Sequence, residues 1–243
     1  MFEPHQKRAY VREMFARIAP RYDLLNRLMT FGMDQRWRVR AARLAVGENP
    51  APFALDLATG TGDFAIAIQS VAPRARVVGL DLVYEMLAYA QAKNAARGGR
   101  HEALPLLAGD ALDLPFPENT FDAVTSAFML RNVVSLERAF AEMARVAKPG
   151  ARIVALEITQ PRLPLWSALY KFYFYRLVPR LGGALSDRDA YRYLPASAAR
   201  FVNAEELAHI MRGAGLTNVH YEWLNLGTVA IHVGSKAITA PHP

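Results

Sequence analysis

Apolar positions along the chain alternate between two rhythms, short solid runs and longer stretches at helical spacing. Phe53-Ala54-Leu55-Asp56-Leu57-Ala58 is a short apolar run that ends in Thr59-Gly60-Thr61-Gly62-Asp63, after which Phe64, Ala65, Ile66 and Ile68 continue into a helix. Further runs at Arg76 to Leu80, Leu104 to Ala108, Phe121 to Ala127 and Arg152 to Ile158 predict four more strands. Helical patterns at Tyr84 to Ala96 and Leu136 to Val146 fall between them, the second closed by Lys148-Pro149-Gly150. Upstream, Val11, Met14, Phe15 and Ile18 share one helix face, Pro20 interrupts, and Tyr22-Asp23-Leu24-Leu25-Asn26 begins a second helix. Downstream, Asn203 with Glu206 forms a capping box for a helix over 203–213, and strands near 217–224 and 227–235 close the chain. Alternating strands and helices predict an α/β fold with a mainly parallel, doubly wound Rossmann-like sheet, whose ligands sit beyond the carboxyl ends of the strands. The expected layout is one domain over 1–243. It comprises an N-terminal helical cap (1–45), a cofactor-binding core (46–160), a helical insertion serving as substrate lid (161–202) and a C-terminal helix with closing strands (203–243).

Composition narrows the function. The 243 residues contain no cysteine, which excludes disulfide frameworks, thiolate metal sites and a cysteine nucleophile. None of the six histidines adjoins a motif, so no metal is expected. The net charge of +7 is uneven: residues 1–43 carry +6, 44–159 carry −3, 160–200 carry +5 and 201–243 carry −1. Two basic flanks around an acidic middle suit a substrate or an anionic membrane surface, or nucleic acid. No apolar stretch follows the charged residues from Met1 to Tyr10, so no signal peptide is read, and Lys171 and Arg176 interrupt the aromatic stretch Leu163 to Pro179 too soon for a membrane span. The expected location is the cytoplasm, with peripheral contact at the inner face of the membrane; a homo-oligomer is left open.

Gly60-Thr61-Gly62-Asp63-Phe64-Ala65 fits G-x-G-x-x-[G/A] between a strand and a helix, and Asp81 ends the next strand about twenty residues on. That combination predicts an adenosine-containing cofactor, with Asp81 accepting from both ribose hydroxyls. A pyrophosphate docks on backbone N–H groups at a helix N-terminus, and the Asp63 carboxylate there would repel it. The ammonium and sulfonium of S-adenosylmethionine instead favour acceptors, which Asp56 and Asp63 supply. Asp110 is placed to accept from an adenine amino group, with the Ala111 N–H facing a ring nitrogen. Tyr89 and Lys93 have the spacing of a short-chain dehydrogenase pair, but they follow the second strand and so lie on the wrong helix for hydride transfer.

At this point a resemblance enters. Tyr22-Asp23-Leu24-Leu25-Asn26 through Trp37, and Arg145-Val146-Ala147-Lys148-Pro149-Gly150 leading to Glu157, resemble the two signatures of the C-methyltransferases of ubiquinone and menaquinone biosynthesis. Thr30, Asp34, Ala151 and Thr159 depart from them. Leu112-x-Leu114-Pro115-Phe116-Pro117 before Phe121-Asp122 also looks like the family, as do Leu130-Arg131-Asn132-Val133 and Ala190-Tyr191-Arg192-Tyr193-Leu194. The resemblance implies a class I S-adenosylmethionine-dependent methyltransferase fold, with cofactor contacts at Thr61, Asp81, Asp110 and Ala111. It also implies a serine contact after the fourth strand, for which this chain offers Ser126 while the family position falls at Ala127. The implied reaction is methylation of a ring carbon of a polyprenyl quinol, demethylmenaquinol before a methoxy benzoquinol. Arg131 is expected to stabilise an aryloxide, Asn132 to hold the second ring oxygen, and Asp23 or a water it orients to take the proton. Tyr22, Asn26, Tyr191, Arg192 and Tyr193 are expected around the ring. A nucleic-acid methyltransferase is disfavoured, because Ser126-Ala127-Phe128-Met129 is not an Asn/Asp-Pro-Pro-aromatic motif and no cysteine exists for pyrimidine attack. A non-catalytic cofactor-binding subunit is the remaining alternative.

Overall fold

The computed structural model describes residues 3–97, 103–161, 170 and 172–238. Strands β1 (Phe53–Leu57), β2 (Arg76–Asp81), β3 (Leu106–Ala108), β4 (Phe121–Ala127), β5 (Ala147–Ile158), β6 (Leu216–Leu224) and β7 (Val229–Lys236) form one sheet in the order β3-β2-β1-β4-β5-β7-β6. All neighbours are parallel except β7, which runs antiparallel to both β5 and β6. Chain order reverses between β1 and β4, which opens a crevice at their carboxyl ends. Solid apolar runs reflect strands covered on both faces; β4 buries five of its seven residues.

Helices α1 (Pro4–Ile18), α2 (Tyr22–Thr30) and α3 (Met33–Val46) form the front cap, with Pro20 absorbed into a single tight turn between α1 and α2. Helix α4 (Asp63–Val71) follows β1, α5 (Tyr84–Ala96) follows β2 and α6 (Leu136–Val146) precedes β5. In α6 the Ser135 hydroxyl caps the first turn by accepting from the Arg138 N–H at 3.1 Å, and Ala139, Phe140, Met143 and Val146 form its buried face. The insertion contributes one wide helical turn (Tyr173–Leu177), α7 (Val178–Leu185) and α8 (Arg188–Arg200). Residues 163–169 and 171 of the aromatic stretch Leu163 to Pro179 lie outside the described residues. Helix α9 (Ala204–Gly213) begins at the expected capping box, where Asn203 and Glu206 each accept the other's backbone N–H. Three apolar clusters result: one between α3, α4 and the sheet, one between α6, α9 and the opposite face, and one joining the front cap to α7 and α8.

Two expected boundaries move. Lys148-Pro149-Gly150 does not separate helix from strand, because β5 already begins at Ala147, paired with Phe121 across a register shift; Gly150 takes φ +79° within it. β3 begins at Leu106, since Pro105 has no N–H to give the ladder. Phe140 is completely buried beneath α6. Phe140→Ala is expected to cost about 3–5 kcal/mol of unfolding free energy, measured by urea denaturation.

Candidate active site

Carboxylates at the ends of the parallel strands hold the loops that follow them. Asp56 lies under the glycine turn and accepts from the hydroxyls of Thr59 (2.7 Å) and Thr125 (2.9 Å); burial pushes it up to about 6. Ala58 (φ +49°), Gly60 (φ +56°) and Gly62 (φ +85°) turn the chain above it, and Gly62 caps α4. A Cβ at Gly62 would lie 3.4 Å from the Ala90 Cβ, ordinary contact, so α5 is seated against the turn there and it is the positive φ that calls for glycine. Asp81 accepts from the N–H groups of Gly60 and Val83, both at 2.8 Å, and burial likewise raises it to about 6. Asp110 accepts from the Leu112 N–H at 2.9 Å and pairs with Arg8 of α1 at 3.1 Å.

Gly60, Asp81, Asp110, Ala111, Ala127 and Asn132 are among the walls of a cavity of about 120 Å³. Each Asp81 oxygen accepts one backbone N–H and keeps capacity for a further donor. Asn132 Oδ1 is buried there with no hydrogen-bond partner. Paired acceptors plus an unsatisfied carbonyl suit a ligand rich in hydroxyl and amino donors, as an adenosine with an amino-acid arm is.

Several expected contacts are placed elsewhere. Asp56 is sealed beneath the turn and lines neither cavity, so it supports the turn instead of meeting the ligand. Ser126 is fully buried in β4 with its hydroxyl unpartnered, while Ala127 reaches the cavity, because successive strand residues point to opposite faces. The Thr61 hydroxyl donates to Asp23 at 2.6 Å, so it is used on the outer side of the turn. Asp23 also receives Lys93 at 2.5 Å and lines neither cavity, so its carboxylate is engaged in the ion pair beside the glycine turn. Asp63 binds Lys93 at 2.6 Å and Gln35 at 2.8 Å. Burial raises Asp63, but Lys93, with help from Arg38 and Gln35, outweighs that and holds it below the usual carboxylate range. Lys93, set aside in the sequence as part of a chance pair, is therefore the clamp between α5, the glycine turn and α2. Arg192 is exposed and lines neither cavity.

A larger cavity of about 480 Å³ lies beside the first, lined by Tyr22, Asn26, Arg131, Tyr191 and Tyr193 together with further apolar and aromatic side chains from α1, α3 and the insertion. Phe15, Tyr22 and Phe128 border both cavities. Phe128 has φ +59°, a left-handed bend immediately after β4. Its carbonyl accepts from Arg131 Nη1 at 2.6 Å and from Asn132 Nδ2 at 3.2 Å. These adjacent side chains then diverge, Arg131 to the large cavity and Asn132 to the small one. Burial raises the Tyr22 phenol, partly offset by the charges of Arg38 and Arg131 and by its bond to Asn26, so Tyr22 is a donor and not a base.

The sequence reading gave no role to Glu157, Asp34 or Arg38. Glu157, near the end of β5, accepts from the Leu130 N–H at 2.5 Å and lies 3.8 Å from Arg131. Burial pushes it up to about 7 despite that cation. Asp34 and Arg38 form a buried pair at 2.5 Å, Thr30 donates to Asp34 at 2.9 Å, and the Arg38 guanidinium lies 5.5 Å from the Phe128 ring centroid. Their i, i+4 spacing was visible, but nothing in the sequence placed them beside Phe128. Among the described residues, no group of His, Asp or Glu is arranged to hold a metal ion.

Comparison with known proteins agrees with this geometry. A protein of Thermus thermophilus named demethylmenaquinone methyltransferase is 49% identical over 92% of this chain and 100% of its own length. One from Syntrophotalea carbinolica, named ubiquinone/menaquinone biosynthesis C-methyltransferase UbiE, is 44% identical over 93% of this chain and 94% of its own. Among solved structures, the [4+2]-cyclase SpnF matches with a TM-score of 0.69 at 17% identity, over 94% of this chain and 96% of that one. A possible histamine N-methyltransferase from Thermotoga maritima matches at 0.62 and 19%, over 93% and 99%. These two share the fold, and their different chemistries show that the fold alone does not choose a reaction. The model of the ubiE/COQ5 methyltransferase family matches residues 3–236, and this chain belongs to that family.

Proposed function

We propose that the protein methylates a ring carbon of a reduced polyprenyl quinol, demethylmenaquinol in the first instance, with S-adenosyl-L-methionine as methyl donor. The observation that carries this reading is the aromatic cavity of about 480 Å³ joined at the Phe128 bend to an acid-lined cavity of adenosine character. Relatives named for demethylmenaquinone over nearly their whole length support the ring chemistry.

When bound, S-adenosylmethionine supplies an electrophilic methyl on a sulfonium. Asp81 and Asp110 would hold its adenosine, and the unpartnered Asn132 Oδ1 would accept from a remaining donor. The quinol ring lies among Tyr22, Tyr191 and Tyr193 in a cavity with few competing polar groups. Ring carbon becomes nucleophilic when a quinol hydroxyl gives its proton to water, so the protein's task is to stabilise the aryloxide that remains; once the carbon has taken the methyl, the ring C–H proton leaves to water as the ring regains aromaticity. Arg131 performs it: the Phe128 carbonyl orients one end of the guanidinium, Nε is without a partner, and the fixed positive charge lowers the hydroxyl's pKa. Glu157 acts through Arg131 and is a positioning residue. Water is kept out by the aromatic walls and by α1, whose Lys7 donates to the carbonyl of Val133 at 2.6 Å. A peripheral position on the membrane suits such a substrate, and no helix among the described residues is long and apolar enough to cross one.

The direct test incubates purified protein with S-adenosylmethionine and chemically reduced demethylmenaquinone in mild detergent, in parallel with the demethylated methoxy benzoquinol, and follows product mass. Methyl gain on the naphthoquinol is expected; gain on both rings would match the broader name carried by the Syntrophotalea relative. No gain on either ring, with the cofactor bound, would overturn the substrate class. Arg131→Ala is expected to lower kcat about 100-fold or more, as loss of a charge-stabilising donor does, with cofactor affinity within about twofold of the parent by calorimetry. The raised Glu157 means that the folded chain keeps a proton the unfolded chain releases. Its contribution to stability is full below about pH 4.5 and lost as pH rises through about 7. The melting temperature of the parent is therefore expected to fall relative to Glu157→Gln between about pH 5 and pH 8 in thermal scans.

A further inference from the structure

Helix α2 is apolar on two sides. One side, with Tyr22, Leu25 and Met29, packs inward. On the other, Leu24, Leu28 and Phe31 follow one another at i, i+4 and i+7 and are 57%, 52% and 79% exposed. Three large apolar side chains in one exposed row on a two-turn helix are a feature that ordinary surface composition does not account for.

The row continues into the mouth of the large cavity. Phe31, which occupies the left-handed position ending α2, lines that cavity and lies 6.3 Å from the Tyr173 ring. Tyr173 donates to the Met29 carbonyl at 2.9 Å, tying the insertion to α2. Exposed Phe172 and Leu177 also line the cavity, and Tyr175 is exposed beside them. At the other end of the row, Arg21 donates to the carbonyl of exposed Leu185. The cavity therefore opens through a rim of exposed aromatic and aliphatic groups built jointly by α2 and the insertion.

Exposed cations flank these residues along the chain: Arg36 follows Phe31 by five positions, and Arg176 and Arg180 stand in the insertion next to Tyr175 and Leu177. The two segments that build the rim are the ones carrying +6 and +5, while the rest of the chain is net acidic. Aromatic and aliphatic groups at the centre of a patch, with long basic side chains around it, match the chemistry of an anionic lipid surface: the apolar groups enter the headgroup region and the guanidinium groups meet phosphate.

We infer that the Leu24–Leu28–Phe31 row, with Phe172 and Tyr175, is a membrane-docking surface that sets the mouth of the large cavity against an anionic phospholipid bilayer. This rests on the proposed prenylated substrate: the ring reaches Arg131 through the rim while its tail stays in lipid. The sequence offered the two basic flanks for membrane contact without naming a surface; the exposed row of α2 supplies one within the first flank.

The test measures co-sedimentation of the full chain with vesicles of phosphatidylcholine containing about one-third phosphatidylglycerol, and with phosphatidylcholine alone. The parent is expected to bind the anionic vesicles at low salt and to be released at high salt. Leu24→Glu/Leu28→Glu, which alters no residue lining either cavity, is expected to bind them at least about tenfold more weakly. Its turnover of detergent-dispersed quinol and its cofactor binding should equal the parent's, which also shows that it folds. Arg176→Glu/Arg180→Glu should lose the preference for anionic over neutral vesicles. Absence of parent binding, or undiminished binding by the leucine pair variant, would overturn the inference. So would a parent dimer that this variant splits into monomers with vesicle binding intact, since the row would then cover a second copy. Failure of the substrate reading is scored separately, as absent methyl gain in detergent.

Discussion

A strand that ends inside a protein leaves backbone N–H groups of the next loop without ladder partners, and buried N–H groups must find an acceptor. This protein meets that constraint with carboxylates at the carboxyl ends of its parallel strands. Asp81 after β2 takes Gly60 and Val83, Asp110 beyond β3 takes Leu112, and Glu157 on β5 takes Leu130. Asp56 at the end of β1 does the equivalent with hydroxyls. The acidic middle of the sequence is thus partly a set of loop anchors. Burial raises Asp56, Asp81 and Glu157 because acceptors so placed cannot also be well solvated. The site inherits its negative lining from the means by which the sheet terminates.

The second organising element is the bend at Phe128. A left-handed phenylalanine after a buried strand is strained, and it is held by the Arg38 guanidinium near its ring, by Arg131 and Asn132 on its carbonyl and by the Leu156 carbonyl, which accepts its N–H at 2.8 Å. That bend turns two consecutive side chains into different cavities. The buried Asp34–Arg38 pair, costly in itself, is situated where it supports the bend.

Much of this was legible in the chain. The glycine turn, Asp81 and Asp110 could be read because each sits at a fixed offset from a strand whose apolar run marks its end. Helix α9 could be read from its capping box, and α6 from the helical spacing of its apolar residues. Illegible were features that depend on phase or on distance in sequence. Whether Ser126 or Ala127 faces the ligand is decided by strand phase, and a one-residue uncertainty inverts the answer. Asp23 and Lys93 looked like a candidate base and a chance motif; their meeting across 70 positions is a tertiary fact. Arg192 was read with its neighbours Tyr191 and Tyr193, yet helical geometry turns the middle residue of such a triplet outward. Glu157 was read only as part of a signature, because its partners Leu130 and Arg131 lie on another strand's loop.

Phe15, Tyr22 and Phe128 each border both cavities. Rings shared in this way lose their freedom once, whichever ligand arrives first, so the second ligand meets walls already set. Whatever coupling these rings carry between the two ligands is reciprocal: the cofactor changes the hold on the ring by the same factor as the ring changes the hold on the cofactor. A partition made of side chains that belong to both rooms means that a substitution at Phe15, Tyr22 or Phe128 reshapes both rooms at once.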